Sequence, residues 1–337
     1  MKKILVTLGP SSMNKSTVSS LTKLGVHLFR INLSHTPLNL VKENIKQIQS
    51  WTDVPICLDS EGAQLRNGLM QNDSVYFEEN TRVIISNKPI IGNNEIISFN
   101  PISITNQFRE GDQIQVDFNH VKFEIIKKNP ENYEAIVRNS GYIGSNKAAD
   151  INRNLHFDPL TEKDKKAIMI GLDNGINNFA MSFANKAEDV ILMRDLCGEK
   201  SNIICKIESP SGVNNLNSII EKTDEILIDR GDLSRRIPIQ RIPFLQRCII
   251  ATARLMNTPV YVATNLLETM ITTQSPTRAE VNDVVSTLEM GANGLVLAAE
   301  TAIGRYPLQS VQMIRNLISE FDKFTPNTKA TSLISDI

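Results

Sequence analysis

Several features that mark special classes of protein are scarce in this chain of 337 residues. It has four cysteines without paired spacing, one tryptophan and no apolar run approaching the length of a membrane span. The scattered cysteines argue against a disulfide framework or a zinc site and predict reduced thiols in a cytoplasm. The apolar stretch after "MKK" is too short for a signal peptide. We therefore expect a cytoplasmic protein with no membrane partner.

An excess of charge of one sign is also missing. The chain has 36 basic and 37 acidic residues, for a formal net charge of -1. Without a basic excess, electrostatic binding to nucleic acid is not expected. With 41% hydrophobic residues, a chain of this length can bury the core of one large domain or of two.

Short apolar segments alternate with helical patterns along most of the chain. Eight such segments read as buried strands, each followed by a helix, at residues 3–9, 27–34, 54–60, 177–183, 202–208, 225–231, 259–264 and 294–301. Eight strand–helix units are the number that closes a (β/α)₈ barrel. An open doubly wound α/β sheet is the alternative. The count favours the α/β fold of a TIM barrel.

The middle of the chain interrupts this alternation. Residues 68–155 contain short runs of partly alternating hydrophobicity, separated by turn sequences such as "GNN" and "EGD". This pattern predicts a small β-rich domain inserted after the third barrel strand. We expect a barrel at 1–67 and 156–337 and a lid at 68–155 that can cap the barrel mouth.

Polar residues follow the predicted strands where each one ends. Lys206 and Glu208 are two apart at the end of an apolar run, so alternation points them to the same side. In a (β/α)₈ barrel the carboxyl ends of the strands carry the chemistry. Any single one of these residues could be a helix cap, but together at one rim they indicate a site. The residues expected at this rim are Arg30, Asn32, Ser34, His35, Asp59, Ser60, Ser182, Lys206, Glu208, Asp229 to Asp232, Thr264, Glu300 and Thr301.

The residue types at the rim indicate their chemistry. Glu208 and Asp232 are hard oxygen donors that suit Mg²⁺ or Mn²⁺. Lys206 and Arg30 can hold an oxyanion or a phosphoryl group. Cations, carboxylates and a divalent metal are what phosphoryl transfer needs. An oxygen cage for a monovalent ion is formed by Asn32, Ser34, Asp59 and Ser60 in this interpretation.

Motifs in a fixed order over nearly the whole chain resemble the pyruvate kinase family. They include "FRINLSH", "KIES", "DRGDL", "VATNLLETM", "PTRAEVNDV" and "AETAIGRYP". The resemblance implies a (β/α)₈ barrel with a small β-barrel lid inserted after the third strand. It also implies a chain that lacks the family's C-terminal regulatory domain, because the sequence stops soon after the last barrel helix.

The resemblance implies a reaction and a set of roles. Phosphoenolpyruvate and ADP would give pyruvate and ATP, with Mg²⁺ or Mn²⁺ on Glu208 and Asp232. Lys206 would contact the transferring phosphoryl group, Arg30 would contact phosphate as a second catalytic residue, and Thr264 would lie on the proton path to the enolate. The substrate-binding residues would be Ser182, Lys206, Gly231, Asp232 and Thr264.

The resemblance also implies a nucleotide site and a potassium site, with departures from the family pattern. The nucleotide residues would be Thr7, Arg30, Asn32, His35, Arg66 and Lys147, and the potassium residues Asn32, Ser34, Asp59 and Ser60. Gln64 stands where the family has an acid that helps demand potassium, so K⁺ is expected to stimulate and not to be essential. "SRR" at 234–236 replaces the family's Gly-Val-Glu and adds two cations near the mouth.

Other functions on the same barrel stay open at this point. One is a kinase for another small acceptor, and a second is a metal-dependent lyase that acts through a pyruvate enolate. A third is a catalytically weak protein that senses phosphoenolpyruvate or a nucleotide. For assembly, we expect a homodimer through the barrel, around "PTRAEVNDVV", without activation by a sugar phosphate.

Overall fold

The structure, a computed structural model, describes residues 1–62, 64–117, 121–153 and 155–334. The chain forms two compact units, Met1–Gly62 with Pro159–Ile337, and Ala63–Asp158. Among the described helices, none combines the length and the apolar character that crossing a membrane requires.

The strands of the described residues follow one another in this order: β1 (Lys3–Leu8), β2 (Leu28–Asn32), β3 (Ile56–Asp59), β4 (Leu65–Asn67), β5 (Ser74–Phe77), β6 (Arg82–Ser86), β7 (Ile96–Asn100), β8 (Gln113–Val116), β9 (Val121–Lys128), β10 (Asn132–Asn139), β11 (Gly141–Gly144), β12 (Ala148–Ile151), β13 (Asn178–Met181), β14 (Asn202–Ile207), β15 (Glu225–Asp229), β16 (Val260–Ala263) and β17 (Gly294–Leu297).

The α-helices are α1 (Lys15–Lys23), α2 (Leu38–Trp51), α3 (Ile102–Thr105), α4 (Glu162–Asp173), α5 (Ala187–Cys197), α6 (Pro210–Asn214), α7 (Leu216–Ile220), α8 (Arg230–Ser234), α9 (Ile242–Leu255), α10 (Arg278–Glu289), α11 (Ala299–Ala302) and α12 (Pro307–Lys323). Short 3₁₀ turns lie at Gln71–Asp73, Ile239–Arg241, Glu268–Ile271 and Ala330–Leu333.

The first unit is a closed barrel of eight parallel strands. β1, β2, β3 and β13 to β17 follow one another around it, and β17 pairs with β1 to close it. This confirms the (β/α)₈ prediction and overturns the open-sheet alternative. The expected eighth strand, 294–301, is shorter than predicted, because β17 ends at Leu297 and α11 begins at Ala299.

Side-chain alternation divides each barrel strand between two cores. In β14, Ile203, Cys205 and Ile207 belong to the core between strands and helices, whereas Ile204 belongs to the barrel interior. Lys206 is two residues beyond Ile204 and therefore shares its inward face. The same alternation continues to Glu208, so the barrel interior ends in charged groups at the carboxyl end of this strand.

The helices cover the barrel through apolar faces at helical spacing. In α2 the buried residues Val41, Ile45 and Ile48 recur every three or four positions. The amino end of α4 is a capping box, in which Thr161 accepts from the backbone N–H of Asp164 and the Asp164 carboxylate accepts from that of Thr161. α4 begins at Glu162, three residues after Pro159, where the second segment of the first unit starts.

The second unit is a closed seven-stranded barrel in the order β10, β6, β7, β4, β12, β8 and β9, with β5 and β11 forming a separate two-stranded sheet. Its core includes Phe77 and Phe123, whose rings meet edge to face at 5.2 Å. The unit extends a few residues beyond the expected 68–155 on both sides. On the amino side, β4 belongs to this second barrel because it pairs with β7 and β12.

Candidate active site

The loop after β3 carries Asp59 and Ser60 and is fixed by one buried carboxylate. Asp164, on the first turn of α4, accepts from the backbone N–H of Glu61 at 2.7 Å and of Gly62 at 3.1 Å. Gly62 has a φ of +73°, and a Cβ there would lie 2.7 Å from the Cβ of Ser182. The close approach of this loop to Ser182 therefore needs a glycine.

Lys206 is the centre of a buried charge cluster at the carboxyl ends of β3, β13 and β14. Its Nζ lies 2.8 Å from Glu208 Oε1, 3.4 Å from Asp59 Oδ1 and 3.0 Å from Ser182 Oγ. The side chains of Lys206, Asp59 and Glu208 are 8%, 1% and 0% exposed. Such charges are rarely buried without partners, and here each one has an opposite charge beside it.

The protonation of this cluster follows from burial and from its charges. Burial alone would lower the pKa of Lys206, but the carboxylates of Asp59, Glu208 and Asp229 outweigh it and raise that pKa. Lys206 therefore stays charged at neutral pH. Burial also raises the pKa of Glu208, and the neighbouring Asp232 and Asp229 carboxylates add to the shift against the opposing effect of Lys206. A cation beside Glu208 would favour its ionised form.

Three carboxylates at the ends of β14 and β15 form a donor set for a divalent cation. One oxygen from each of Glu208, Asp229 and Asp232 lies within 4.8 Å of the other two. The set contains only oxygen ligands, which suits Mg²⁺ or Mn²⁺ and not zinc. Glu208 Oε2 accepts from the backbone N–H of Phe183 at 2.7 Å, which orients the carboxylate. The residues therefore fit a hard divalent ion.

Thr264 follows β16 in a strained conformation beside these carboxylates. Its φ is +66°, in the left-handed region that β-branched residues rarely adopt. Its Oγ1 accepts from the Gly231 N–H at 2.9 Å and lies 3.1 Å from Asp229 Oδ1 and 2.7 Å from the Ala263 carbonyl, either of which can accept its proton. Strain of this kind persists where the surrounding structure fixes it, typically at functional sites.

Thr7 and Arg30 lie side by side on β1 and β2 and carry unpartnered buried atoms. They are paired in the register of the two strands. Arg30 Nε is 3.4 Å from Asp59 Oδ2, while Arg30 Nη1 and Thr7 Oγ1 have no hydrogen-bond partner among the described residues. Because leaving buried polar atoms unpaired is costly, both are suited to bind a ligand.

Those two residues border a cavity of about 440 Å³. Asn32 and His35 line its polar side, and Met13 is among its apolar side chains. A cavity with one apolar wall and a buried guanidinium suits a flat ring attached to an anionic group. Four of the six expected nucleotide residues, Thr7, Arg30, Asn32 and His35, thus share one cavity.

The other two expected nucleotide residues are neighbours in the second unit. Arg66 in β4 pairs in register with Ala148, next to Lys147. Arg66 Nη1 donates to the Asn146 carbonyl at 3.0 Å, and Lys147 Nζ is 3.3 Å from Asp117 Oδ2. The buried Asn67 accepts from the Lys147 N–H at 2.7 Å and so fixes the backbone that carries this lysine.

The expected potassium residues lie at the ends of β2 and β3, which are adjacent strands. Asn32 and Asp59 are register partners. Asn32 Oδ1 accepts from the Ser34 N–H at 2.9 Å, and Ser60 Oγ accepts from the Ser182 N–H at 2.9 Å. The oxygens of Asn32 and Ser60 are therefore engaged, although each keeps a lone pair for a cation.

Some functional residues were not singled out from the sequence. Asp229 was expected at the rim but not as a member of the metal site, although it directly precedes the "RGD" motif. Asp164 received no role, and its position in "LTEKD" would have indicated only a helix cap. Both are recognised from tertiary contacts, since Glu208 lies 21 residues before Asp229 and Glu61 lies 103 residues before Asp164.

Comparison with known proteins agrees with this geometry. The family model of the pyruvate kinase barrel domain matches residues 1–311. The pyruvate kinase of Thermotoga maritima is 32% identical over 95% of this chain and 71% of its own length. The pyruvate kinase of Bacillus licheniformis is 30% identical over 98% of this chain and 58% of its own length. The pyruvate kinase of Schizosaccharomyces pombe is 33% identical over 91% of this chain and 64% of its own length. This chain therefore spans between 58% and 71% of these three relatives.

The matched region contains Lys206, Glu208 and Asp232 and all the residues that line the cavity beside Arg30. A family model that covers most of the chain and relatives at this level of identity agree with each other. We conclude that the chain belongs to the pyruvate kinase family.

Proposed function

We propose that the protein transfers the phosphoryl group of phosphoenolpyruvate to ADP and produces pyruvate and ATP. The observation that carries the proposal is the buried ammonium of Lys206, held at the barrel mouth between Asp59, Ser182 and Glu208. A fixed positive charge beside a carboxylate cluster suits phosphoryl transfer, whose transition state needs positioning and charge neutralisation more than covalent help.

The charged groups divide the work of binding and transfer. Lys206 neutralises the phosphoryl oxygens during transfer, and Arg30 binds phosphate through Nη1, which has no hydrogen-bond partner within the part of the chain that the structure describes. Ser182, which contacts Lys206, borders the substrate. A divalent cation held by Glu208 and Asp232 supplies positive charge for the phosphoryl and enolate oxygens when it is bound.

Thr264 is proposed to serve the proton step that follows transfer. Transfer breaks the bond between phosphorus and the enol oxygen and leaves the enolate of pyruvate. The Thr264 hydroxyl delivers a proton to C3 of the enolate and takes another from water, which completes the ketone. Gly231 and Asp232 are the other predicted substrate residues, and their N–H groups donate to Thr264 Oγ1 and to Asp229 Oδ1, which holds their loop beside this hydroxyl.

The cavity beside Arg30 favours a kinase over a lyase. A lyase that acts through a pyruvate enolate needs no nucleotide, and the cavity of Thr7, Arg30, Asn32 and His35 would then have no use. We assign this cavity to ADP, while Arg66 and Lys147 of the second unit stay predicted nucleotide residues.

Potassium is proposed to stimulate the reaction without being essential. Asn32, Ser34, Asp59 and Ser60 supply oxygen ligands, but Gln64 adds no negative charge. Assays in potassium chloride and in tetramethylammonium chloride test this directly. Activity that vanishes without potassium would contradict it.

A homodimer through the barrel, in a cytoplasmic setting, completes the proposal. One self-complementary patch is sufficient for a two-fold dimer, and α10 with its exposed start at Thr277 and Arg278 is our candidate. Sedimentation of the purified protein tests the dimer, and a monomer at assay concentration would refute it.

The decisive experiment is a lactate dehydrogenase-coupled assay with phosphoenolpyruvate and ADP, with and without Mg²⁺. We expect NADH oxidation that requires both ADP and Mg²⁺. Pyruvate formed without ADP would support the lyase instead. Binding of phosphoenolpyruvate without turnover, under conditions where the coupling enzyme is active, would support the sensing function.

A further inference from the structure

The guanidinium of Arg230 is the structural link between Thr264 and the helices behind it. Arg230 opens α8, directly after β15, and its side chain is 10% exposed. Its Nε and Nη2 donate to the Thr264 carbonyl at 3.1 and 2.6 Å. Two hydrogen bonds from one planar group to one oxygen fix that peptide in place.

The loop that carries Arg230 holds Thr264 at two points. Arg230 binds its carbonyl, and the next residue, Gly231, donates its N–H to the Thr264 hydroxyl. Thr264 and Asn265 both have a positive φ, at +66° and +53°. A left-handed threonine relaxes toward ordinary conformations unless its surroundings hold it. Relaxation at this peptide would turn the hydroxyl away from Asp229.

The other edge of the guanidinium is anchored to α9 and α10. Arg230 Nη1 donates to Asp283 Oδ2 at 2.6 Å and lies 3.5 Å from Gln246 Oε1. The buried Gln246 in turn donates to Thr287 Oγ1 at 3.0 Å. The guanidinium therefore cannot rotate away from Thr264 without breaking its ion pair with α10.

We propose that Arg230 is a positioning residue for the proton step: it fixes the strained Thr264 so that its hydroxyl faces the enolate, with Asp283 as the anchor. This inference rests on the proposed function. Arg230 acts through Thr264 and not on the substrate, so phosphoryl transfer at Lys206 does not depend on it directly.

The Arg230→Lys variant is the matched test of this geometry. An ammonium keeps the charge but lacks the planar fork, so it cannot bind the Thr264 carbonyl twice and Asp283 at once. Asp283→Asn is the second variant, because the amide oxygen still accepts from Arg230 while the ion pair is lost. Arg247→Lys, on the exposed side of α9, is the control.

Two measurements separate the proton step from the transfer step. Exchange of the pyruvate methyl protons with D₂O, followed by NMR with Mg²⁺ and ATP, reports the proton step. ATP formed in a single turnover by rapid quench reports phosphoryl transfer. For Arg230→Lys we expect proton exchange to fall by about 30- to 100-fold, the scale of a small misplacement of a reacting group, with less than about threefold loss of ATP formation.

The outcomes distinguish this inference from the function it rests on. Wild-type protein that makes no ATP refutes the proposed function and this inference with it. If the wild type is active, two results for Arg230→Lys refute the inference alone. One is an equal loss of proton exchange and of ATP formation, and the other is unchanged proton exchange. The Mn²⁺ affinity of Arg230→Lys, measured by EPR, should match the wild type, and a weaker affinity would refute the inference because the metal carboxylates would have moved as well. If Arg230→Lys does not fold, Asp283→Asn is the deciding variant. We expect it to lose proton exchange selectively, but less than expected for Arg230→Lys. An equal loss of proton exchange and of ATP formation would refute the inference.

Discussion

Replacing Lys206 by methionine removes the charge on which the proposed transfer depends and keeps a side chain of similar length. Lys206 Nζ lies 2.8 Å from its nearest carboxylate oxygen, so a phosphoryl oxygen can approach it equally closely. At about 3 Å and an effective dielectric constant of about 20, the attraction between two unit charges is about 5.5 kcal/mol. About a quarter of this is assigned to the bound substrate, which leaves about 4 kcal/mol for the transition state, so turnover should fall by about 10³-fold.

The variant should still fold at neutral pH, because its former partners can adjust. Asp59 keeps Arg30 beside it at 3.4 Å. Burial raises the pKa of Glu208 even against the effect of Lys206, so this carboxyl can take up a proton when the ammonium is removed. Lys206→Met should therefore melt close to the wild type, and it should bind phosphoenolpyruvate no more than about tenfold more weakly.

Steady-state kinetics with equilibrium binding of phosphoenolpyruvate provide the assay, and thermal unfolding checks the fold. Lys206→Arg is a useful companion, because it restores the charge with a different shape. A Lys206→Met protein that retains more than about a tenth of wild-type turnover would refute the electrostatic role, since the worked attraction predicts a far larger loss.

Glu208→Gln should weaken Mn²⁺ binding at least about tenfold in an EPR titration, because it removes an anionic ligand. The control is Glu221→Gln on the surface, which should bind Mn²⁺ like the wild type. If Glu208→Gln and the wild type bind Mn²⁺ equally well, Glu208 does not belong to the metal site. Asp164→Asn should lower the free energy of unfolding, measured in urea, by about 2 to 4 kcal/mol, because its carboxylate accepts from several donors that an amide cannot all satisfy. Asp173→Asn at the exposed end of the same helix is the control. Equal urea midpoints for the two variants would contradict the anchoring role of Asp164. Ellman's reagent at pH 8 should modify Cys248 alone before denaturation, and reaction of all four thiols in the folded protein would contradict the burial seen here. Burial raises the pKa of the other three thiols and keeps them protonated: Cys57, Cys197 and Cys205.

The sequence by itself determined the barrel and most of its rim. Strand periodicity is local, so eight buried segments could be counted without knowing their neighbours. The two-residue spacing of Lys206 and Glu208 likewise predicted a shared face, and the structure places their charged atoms 2.8 Å apart. The domain boundary near β4 was harder to predict from the sequence, because the pairing of a three-residue strand depends on partners far along the chain.

Only the tertiary structure decided how the rim residues act on one another. Asp229 joins Glu208, Asp164 fixes the loop beyond Asp59, and Arg230 reaches Thr264 and Asp283. Each of these contacts joins residues from different strand–helix units or loops, and their distances depend on strand register and loop conformation. Local sequence patterns specify neither strand register nor loop conformation, because hydrogen bonds and ion pairs depend on the positions of atoms in space and not on the order of residues.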